Sequence, residues 1–483
     1  MSYRFLGGAI LLLAVLLLPR VLDLGQFLTA DERRWDSNVS MFTKNLGLLH
    51  WADLLEQPHP GITQQWLGAI TTHSDSWAVR KLPLATAQSI LILIIGYIFY
   101  RLWGKEPALL LTVLLAVNPF LVAHTRVYAM DSLLALFCLL ALGAFLLWQK
   151  NNEWRYLATA GAAASLAVLS KLPGILLIPF ISFFLISKRN RLTSSSIFLA
   201  AFIVTSCIVL PSLLLNTVPV LQNIFSFFSS ADYETMHQAS RWYYVSTLFF
   251  YSTPLHLLAL IALPFAWIYG SKTTAITRQQ AFVLLCFAVL FIVMMTLGAK
   301  KGDRYILPAF LIMDALVVIA STWLIPVLKP HLRTAIFIII FAGLLWQLAD
   351  ITRLHPYALA YVNPITQPLF GERRSGWGEG LDLAAEYLNK KPNAQHLKVA
   401  AYYPNEFAYR FQGETIELHQ YNDGNVAYAV LYRAMFDRGG EAWETDILNN
   451  FKNSKPEKVI MLNGLEYAWI YPLSPNSHTT TEN

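Results

Sequence analysis

The sequence predicts a polytopic α-helical membrane protein of about eleven transmembrane helices, followed by a small C-terminal extracytoplasmic α/β domain. Two observations lead there. The 483 residues are 55% hydrophobic and 14% charged, where a soluble domain carries roughly 45–50% apolar and about 25% charged residues. Charge is also unevenly divided: half of the 30 acids lie beyond residue 350, against a third of the 36 cations. This gives a membrane domain over 1–350 and a water-soluble domain over 351–483. Aromatic content of 13% excludes a disordered chain. The net charge of +6 is dispersed between apolar runs, so it reads as positive-inside membrane charge and not as a nucleic-acid surface.

Each span follows from one ruler, because crossing the hydrocarbon core takes about 20 mostly apolar residues in a helix. The runs near 5–22, 84–103, 107–123, 129–148, 155–170, 174–187, 196–215, 254–270, 281–298, 305–326 and 334–350 meet it or approach it. No small-residue cleavage site follows Leu18-Pro19-Arg20, so the first run is expected to stay as a span. The basic turns at Arg101–Lys105, Lys150–Arg155, Lys188–Arg191, Lys272–Arg278 and Lys329–Arg333 fall on one side if the spans alternate. That side is cytoplasmic and holds the N-terminus. Segments 24–80 and 217–253 and the C-terminal domain are then outside. Cys138, Cys207 and Cys286 all sit in apolar stretches and read as packing residues. Beyond the last span, Leu381–Leu388 has helical periodicity, while Leu397–Tyr403, Val426–Tyr432 and Lys458–Leu462 read as strands. The Gly376-Trp377-Gly378-Glu379-Gly380 stretch reads as a turn, since no βαβ context makes it a nucleotide loop.

Four constellations carry candidate chemistry. Asp31-Glu32 lies just outside the first span, where paired carboxylates suit a proton acceptor. The plain alternative is a helix start capped by Thr29. His59 stands between Pro58 and Pro60, which fix its direction. Arg126 and Asp131 lie at the mouth of a span, where an unpaired charge is costly. They pair with one another or neighbouring loops, or Arg126 serves a phosphate or Asp31. Lys300, Lys301, Arg304 and Tyr305 crowd the turn before the tenth span, and with Arg126 and Lys171 they put cations where positive-inside sidedness disfavours them. An anionic phosphate on that side accounts for them; snorkelling to headgroups is the alternative. Asp314 in mid-span is either functional or a buried packing partner. There is no cysteine-histidine cluster with zinc spacing.

In this order and at these positions, Asp31-Glu32, His59-Pro60, Arg126 with Asp131, and Arg304-Tyr305 with Pro308 resemble motifs of the GT-C membrane glycosyltransferases. The resemblance is to family 39, which holds the protein O-mannosyltransferases and the related lipid A aminoarabinose transferases. Pro60 precedes Gly61 where the family has a second proline, so acceptor specificity is not carried over. Tyr361-Val362-Asn363-Pro364 and the glycine-rich turn look like a bacterial and archaeal branch, which implies a prokaryotic plasma membrane. The resemblance implies a GT-C-like fold and a polyprenyl-phosphate-linked sugar as donor, with an unspecified acceptor. It implies inverting transfer on the outer face with Asp31 as base. Lys300, Lys301, Arg304 and Tyr305 would stabilise the charge on the donor phosphate, with Arg126 orienting Asp31 or sharing the phosphate and Asp131 among the substrate-binding residues, and Glu32 and His59 would position the acceptor. No cofactor is required, and the motifs do not demand a divalent metal. Two other classes compete: a transporter or flippase of a lipid-linked or anionic substrate, and a noncatalytic lipid-sugar-binding subunit.

Overall fold

The apolar runs selected by length fall on helix in the computed structural model, which describes residues 3–55, 61–186, 190–229, 240–298, 300–370, 376–437 and 442–473. The helices of the first part are α1 (Tyr3–Val21), α2 (Glu32–Gly47), α3 (Ile62–Ala69), α4 (Trp77–Trp103), α5 (Lys105–Val117), α6 (Pro119–Thr125), α7 (Asp131–Asn151) and α8 (Trp154–Ser170). They continue with α9 (Leu177–Ile186), α10 (Arg191–Val209), α11 (Ser212–Leu215), α12 (Thr217–Ser229), α13 (Tyr243–Tyr251), α14 (Pro254–Tyr269), α15 (Arg278–Leu297), α16 (Leu307–Leu324) and α17 (Pro330–Leu354). Among the described residues, six helices are long and apolar enough to cross a membrane, or up to eight if each of two bent pairs is one span. The chain is an integral membrane protein. Leu12–Val21 and Leu172–Ile186 are apolar but shorter.

Contacts divide the chain into two units, the first comprising 1–22 and 34–353, the second 23–33 and 354–483. In the first unit α7 is buried along nearly its whole length, as a helix apolar on every side must be. Helices α8 and α10 pack without bulky side chains between them: a Cβ on Gly161 would lie 2.3 Å from the Phe198 carbonyl oxygen. Ser165 and Ser206 share a 2.8 Å hydroxyl hydrogen bond across the same crossing, the small-residue packing expected in lipid. Among the described residues between α1 and α4, Glu32–Gly47 and Ile62–Ala69 are helical, as α2 and α3. Phe42, Leu54, Leu55, Ile62, Leu169, Leu210 and Val220 form a common core beneath them, and Trp66 Nε1 donates to Val209 O at 2.8 Å.

Both bent spans break for a local reason. Asn118 is extended and Pro119 brings no N–H, so the α5–α6 pair bends by 60°. The carbonyls this orphans are satisfied by Arg20, fully buried, which donates to Leu115 O at 3.1 Å and Ala116 O at 3.2 Å. Asn118 Oδ1 caps α6 by accepting the Leu121 N–H. The α13–α14 pair bends by 112° ahead of Pro254, where Thr253 and His256 make a capping box. Asp314 ties the two breaks together: Oδ2 accepts from Asn118 Nδ2 at 2.9 Å, and Oδ1 lies 2.7 Å from His256 Nε2. The mid-span acid is thus a brace between two interrupted helices, all three side chains buried.

The second unit is built on a five-stranded sheet: β1 (Lys398–Ala401), β2 (Glu414–Glu417), β3 (Tyr428–Tyr432), β4 (Lys458–Leu462) and β5 (Leu465–Pro472), in the order β2-β1-β3-β5-β4. β1 runs parallel to β2 and β3, and β5 runs antiparallel to β3 and β4. The β4–β5 turn is Asn463-Gly464, both with positive φ, the pairing a tight hairpin favours. Helices α18 (Gln367–Phe370), α19 (Leu381–Asn389), α20 (Pro404–Ala408), α21 (Ala434–Asp437) and α22 (Ala442–Phe451) complete it.

Candidate functional site

The cationic turn before α16 divides into three fates. Lys300 is exposed. Lys301 Nζ donates to Thr296 O at 3.1 Å and Gly298 O at 2.9 Å, capping the end of α15. Arg304 and Tyr305, on a short 3₁₀ turn leading into α16, meet Asp131 and Lys171. Asp131 opens α7; its Oδ1 accepts from Lys171 Nζ at 2.6 Å, and its Oδ2 lies 3.5 Å from Arg304 Nε. Lys171 Nζ stands 4.0 Å from the Tyr305 ring centroid, and Arg304 Cζ stands 5.3 Å from it, both within cation–π range. Two cations therefore converge on one buried carboxylate with an aromatic ring between them. Lys171 stood out in the sequence as a cation on the disfavoured side. Its partnership was not legible, because it joins the end of α8 to the start of α7.

Arg126 Nη1 donates to Pro19 O at 2.7 Å, at the end of α1. His59 and Pro60 lie outside the described residues. Gly61, the next described residue, donates its N–H to Ser170 O at 3.2 Å, one residue before Lys171. Gly61 has φ +52°. Proline, with φ near −65° and no N–H, satisfies neither condition, which explains why a glycine follows Pro60 here. Thr63 Oγ1 and Ser170 Oγ share a 2.7 Å hydrogen bond, and Gln64 Nε2 donates to Tyr128 O at 3.0 Å.

Asp31 and Glu32 belong to the second unit. Glu32 is fully buried, and its Oε2 accepts the Thr29 N–H at 2.8 Å while its own N–H donates to Thr29 O at 3.0 Å. This is the backward half of a capping box. Asp31, in the turn immediately before α2, is half-buried. Arg33 Nη2 donates to Asn405 O at 3.1 Å, beside Glu406 at the start of α20. Burial, and then the Glu32 and Asp31 carboxylates, push the Glu406 carboxyl up to about 7 against the opposing pull of its own amide and Arg33. Glu406 had no signal in the sequence, being one acid among many in a polar domain. Among the described residues no group of three or more His, Cys, Asp or Glu is placed to hold a metal ion.

Residues 59–214 match the family model for dolichyl-phosphate-mannose-protein mannosyltransferases. No curated protein matches the chain by sequence. Among solved structures, ArnT from Cupriavidus metallidurans in the apo state superposes with TM-score 0.55 at 14% identity, over 97% of this chain and 98% of the other. The same protein bound to undecaprenyl phosphate gives 0.53 at 14%, over 96% and 98%. The archaeal oligosaccharyltransferase AglB from Archaeoglobus fulgidus, in complex with an inhibitory peptide and a dolichol-phosphate, gives 0.52 at 11%, over 91% and 71%. The fold is the GT-C fold expected from the sequence.

Proposed function

We propose that the protein is an inverting glycosyltransferase that moves a sugar from a polyprenyl-phosphate carrier to an acceptor hydroxyl on the outer face of the membrane. The observation that carries this reading is the meeting of Lys171, Arg304 and Tyr305 around Asp131, inside a fold shared with a protein that binds undecaprenyl phosphate. The family-model match over 59–214 supports the same chemistry. Lys171 and Arg304 bind the donor phosphate, Asp131 holds their ammonium and guanidinium groups in place, and exposed Lys300 adds long-range attraction. Arginine offers paired donors to phosphate oxygens, and lysine a point charge.

Transfer is one displacement. The acceptor oxygen attacks the anomeric carbon while its proton passes to the Asp31 carboxylate. The bond from that carbon to the phosphate oxygen breaks, and its electron pair stays on the lipid phosphate. Lys171 and Arg304 act where this negative charge grows, and that is where fixed cations lower a barrier most. Glu32 holds the Asp31 turn and His59 positions the acceptor. The C-terminal domain is extracytoplasmic and the N-terminus cytoplasmic.

The test is direct. Purified protein in lipid is incubated with a panel of polyprenyl-phosphate-linked sugars and a hydroxyl acceptor. Release of lipid phosphate that Lys171→Ala and Arg304→Ala abolish is the expected result. Movement of the intact donor across the bilayer without release makes the protein a flippase.

A further inference from the structure

The segment that carries Asp31 is built into the second unit from end to end. Arg410 donates through Nε to Gln26 O at 3.0 Å and through Nη2 to Gly25 O at 2.9 Å, and Tyr409 Oη donates to Gly25 O at 2.9 Å. Gln26 Nε2 donates to Asp382 Oδ2 at 3.2 Å. The Phe27 ring stacks on Tyr357 with centroids 5.3 Å apart. Ala30, the residue before Asp31, donates its N–H to Trp377 O at 2.9 Å.

The closest approach is made by glycine. A Cβ on Gly378 would sit 2.6 Å from Leu28 O and 3.3 Å from Thr29 Cα, and the residue has φ +120°, a conformation open to glycine alone. Its N–H donates to Tyr432 Oη at 2.9 Å, and that hydroxyl donates to Glu379 O at 3.1 Å. Glu379 in turn accepts the Trp377 N–H at 2.8 Å. The Tyr432 side chain is fully buried. The glycine-rich stretch is therefore a cradle: its backbone receives the Asp31 segment, and one phenol from β3 sets the cradle's shape.

We propose that Tyr432 and Gly378 are positioning residues that fix Asp31 for proton transfer, and that this is what the C-terminal domain contributes to the reaction. The proposal rests on Asp31 being the proton acceptor. A base displaced by about 1 Å loses on the order of 10²-fold in rate, whereas donor phosphate binding draws on Lys171 and Arg304.

Tyr432→Phe is the primary variant, since it removes one hydroxyl and keeps the ring. In full-length protein in detergent, kcat should fall at least 10-fold with donor KM within 2-fold, and amide exchange over 23–33 should quicken. In an Asp31→Asn background the same substitution should cause no further fall. Gly378→Ala should behave alike and more severely, because it inserts a Cβ against Leu28 O. A kcat loss in Tyr432→Phe that persists undiminished in the Asp31→Asn background overturns the proposal, as do unchanged exchange over 23–33 and a matching rise in donor KM. If Asp31→Asn alone turns over normally, the proton-acceptor assignment is what fails. Exchange over 23–33 in Tyr432→Phe then still decides whether the cradle holds the segment.

Discussion

Asp31 and Glu32 are neighbours in the chain with different surroundings. Glu32 is enclosed and bonded back to the Thr29 N–H, while Asp31 occupies the half-buried turn ahead of α2. Asp31→Asn keeps size and removes the carboxylate proposed to accept the proton. Turnover should drop by about 10²- to 10⁴-fold with donor binding intact, measured as kcat beside donor affinity. Glu32→Gln should act through the fold instead, quickening amide exchange at the start of α2. Gly61→Pro, which would give the proline pair of the glycosyltransferases the sequence resembles, should be harmful here. It loses the bond to Ser170 O and cannot adopt φ +52°, a cost on the order of 1–3 kcal/mol seen as a lowered thermal midpoint. At this scale the sequence identified residue types better than partners. Asp131, Arg304 and Lys171 were all conspicuous as charges against the membrane rule. Their meeting was hidden, because three turns far apart in sequence supply them.

Two interrupted helices and the brace between them set the middle of the membrane unit. Asp314 is bonded to Asn118 at one break and His256 at the other, so Asp314→Leu leaves two buried polar groups without their partner. Each costs about 1–3 kcal/mol, and the variant should unfold at lower temperature. Asp314→Asn keeps one acceptor oxygen for two donors, Asn118 Nδ2 and the His256 Nε2–H left by the Thr253 bond to Nδ1, so it should lose less than Asp314→Leu and more than nothing. Length and apolarity located each helical run, because lipid demands both. They did not show that α5–α6 and α13–α14 bend: Pro119 lies inside the run 107–123, and the run 254–270 opens at Pro254 with α13 outside it. In the C-terminal unit β1, β3 and β4 follow apolar runs. Strand β2 was missed because its sequence, Glu414-Thr415-Ile416-Glu417, is that of a polar edge. Strand β5 was missed although Asn463-Gly464 is a strong hairpin signal.

Across the whole molecule, pH should act on the C-terminal unit through two buried acids. Burial raises Glu379 from 4.5 to about 7, and burial with neighbouring carboxylates raises Glu406 from 4.5 to about 7. Between those values the folded chain holds protons that the unfolded chain has released. Their stabilisation is therefore present below about 4.5 and lost as pH climbs to about 7. Protection of α19 and β3 amides, taken relative to the intrinsic exchange rate at each pH, should accordingly be greater at pH 5 than at pH 8, and Glu379→Gln should shrink the difference. The two-part composition of the chain was plain in its charges, but the membership of 23–33 was not, since no local pattern announces a bond from Ala30 to Trp377. That membership orders events during synthesis. A ribosome makes residues 23–33 about four hundred residues before it makes Tyr432. At about 5–20 residues per second, that interval lasts on the order of tens of seconds. Throughout it the nascent polypeptide carries Asp31 without the cradle; with that acid as the proposed base, a growing chain should be catalytically silent until its final sheet closes.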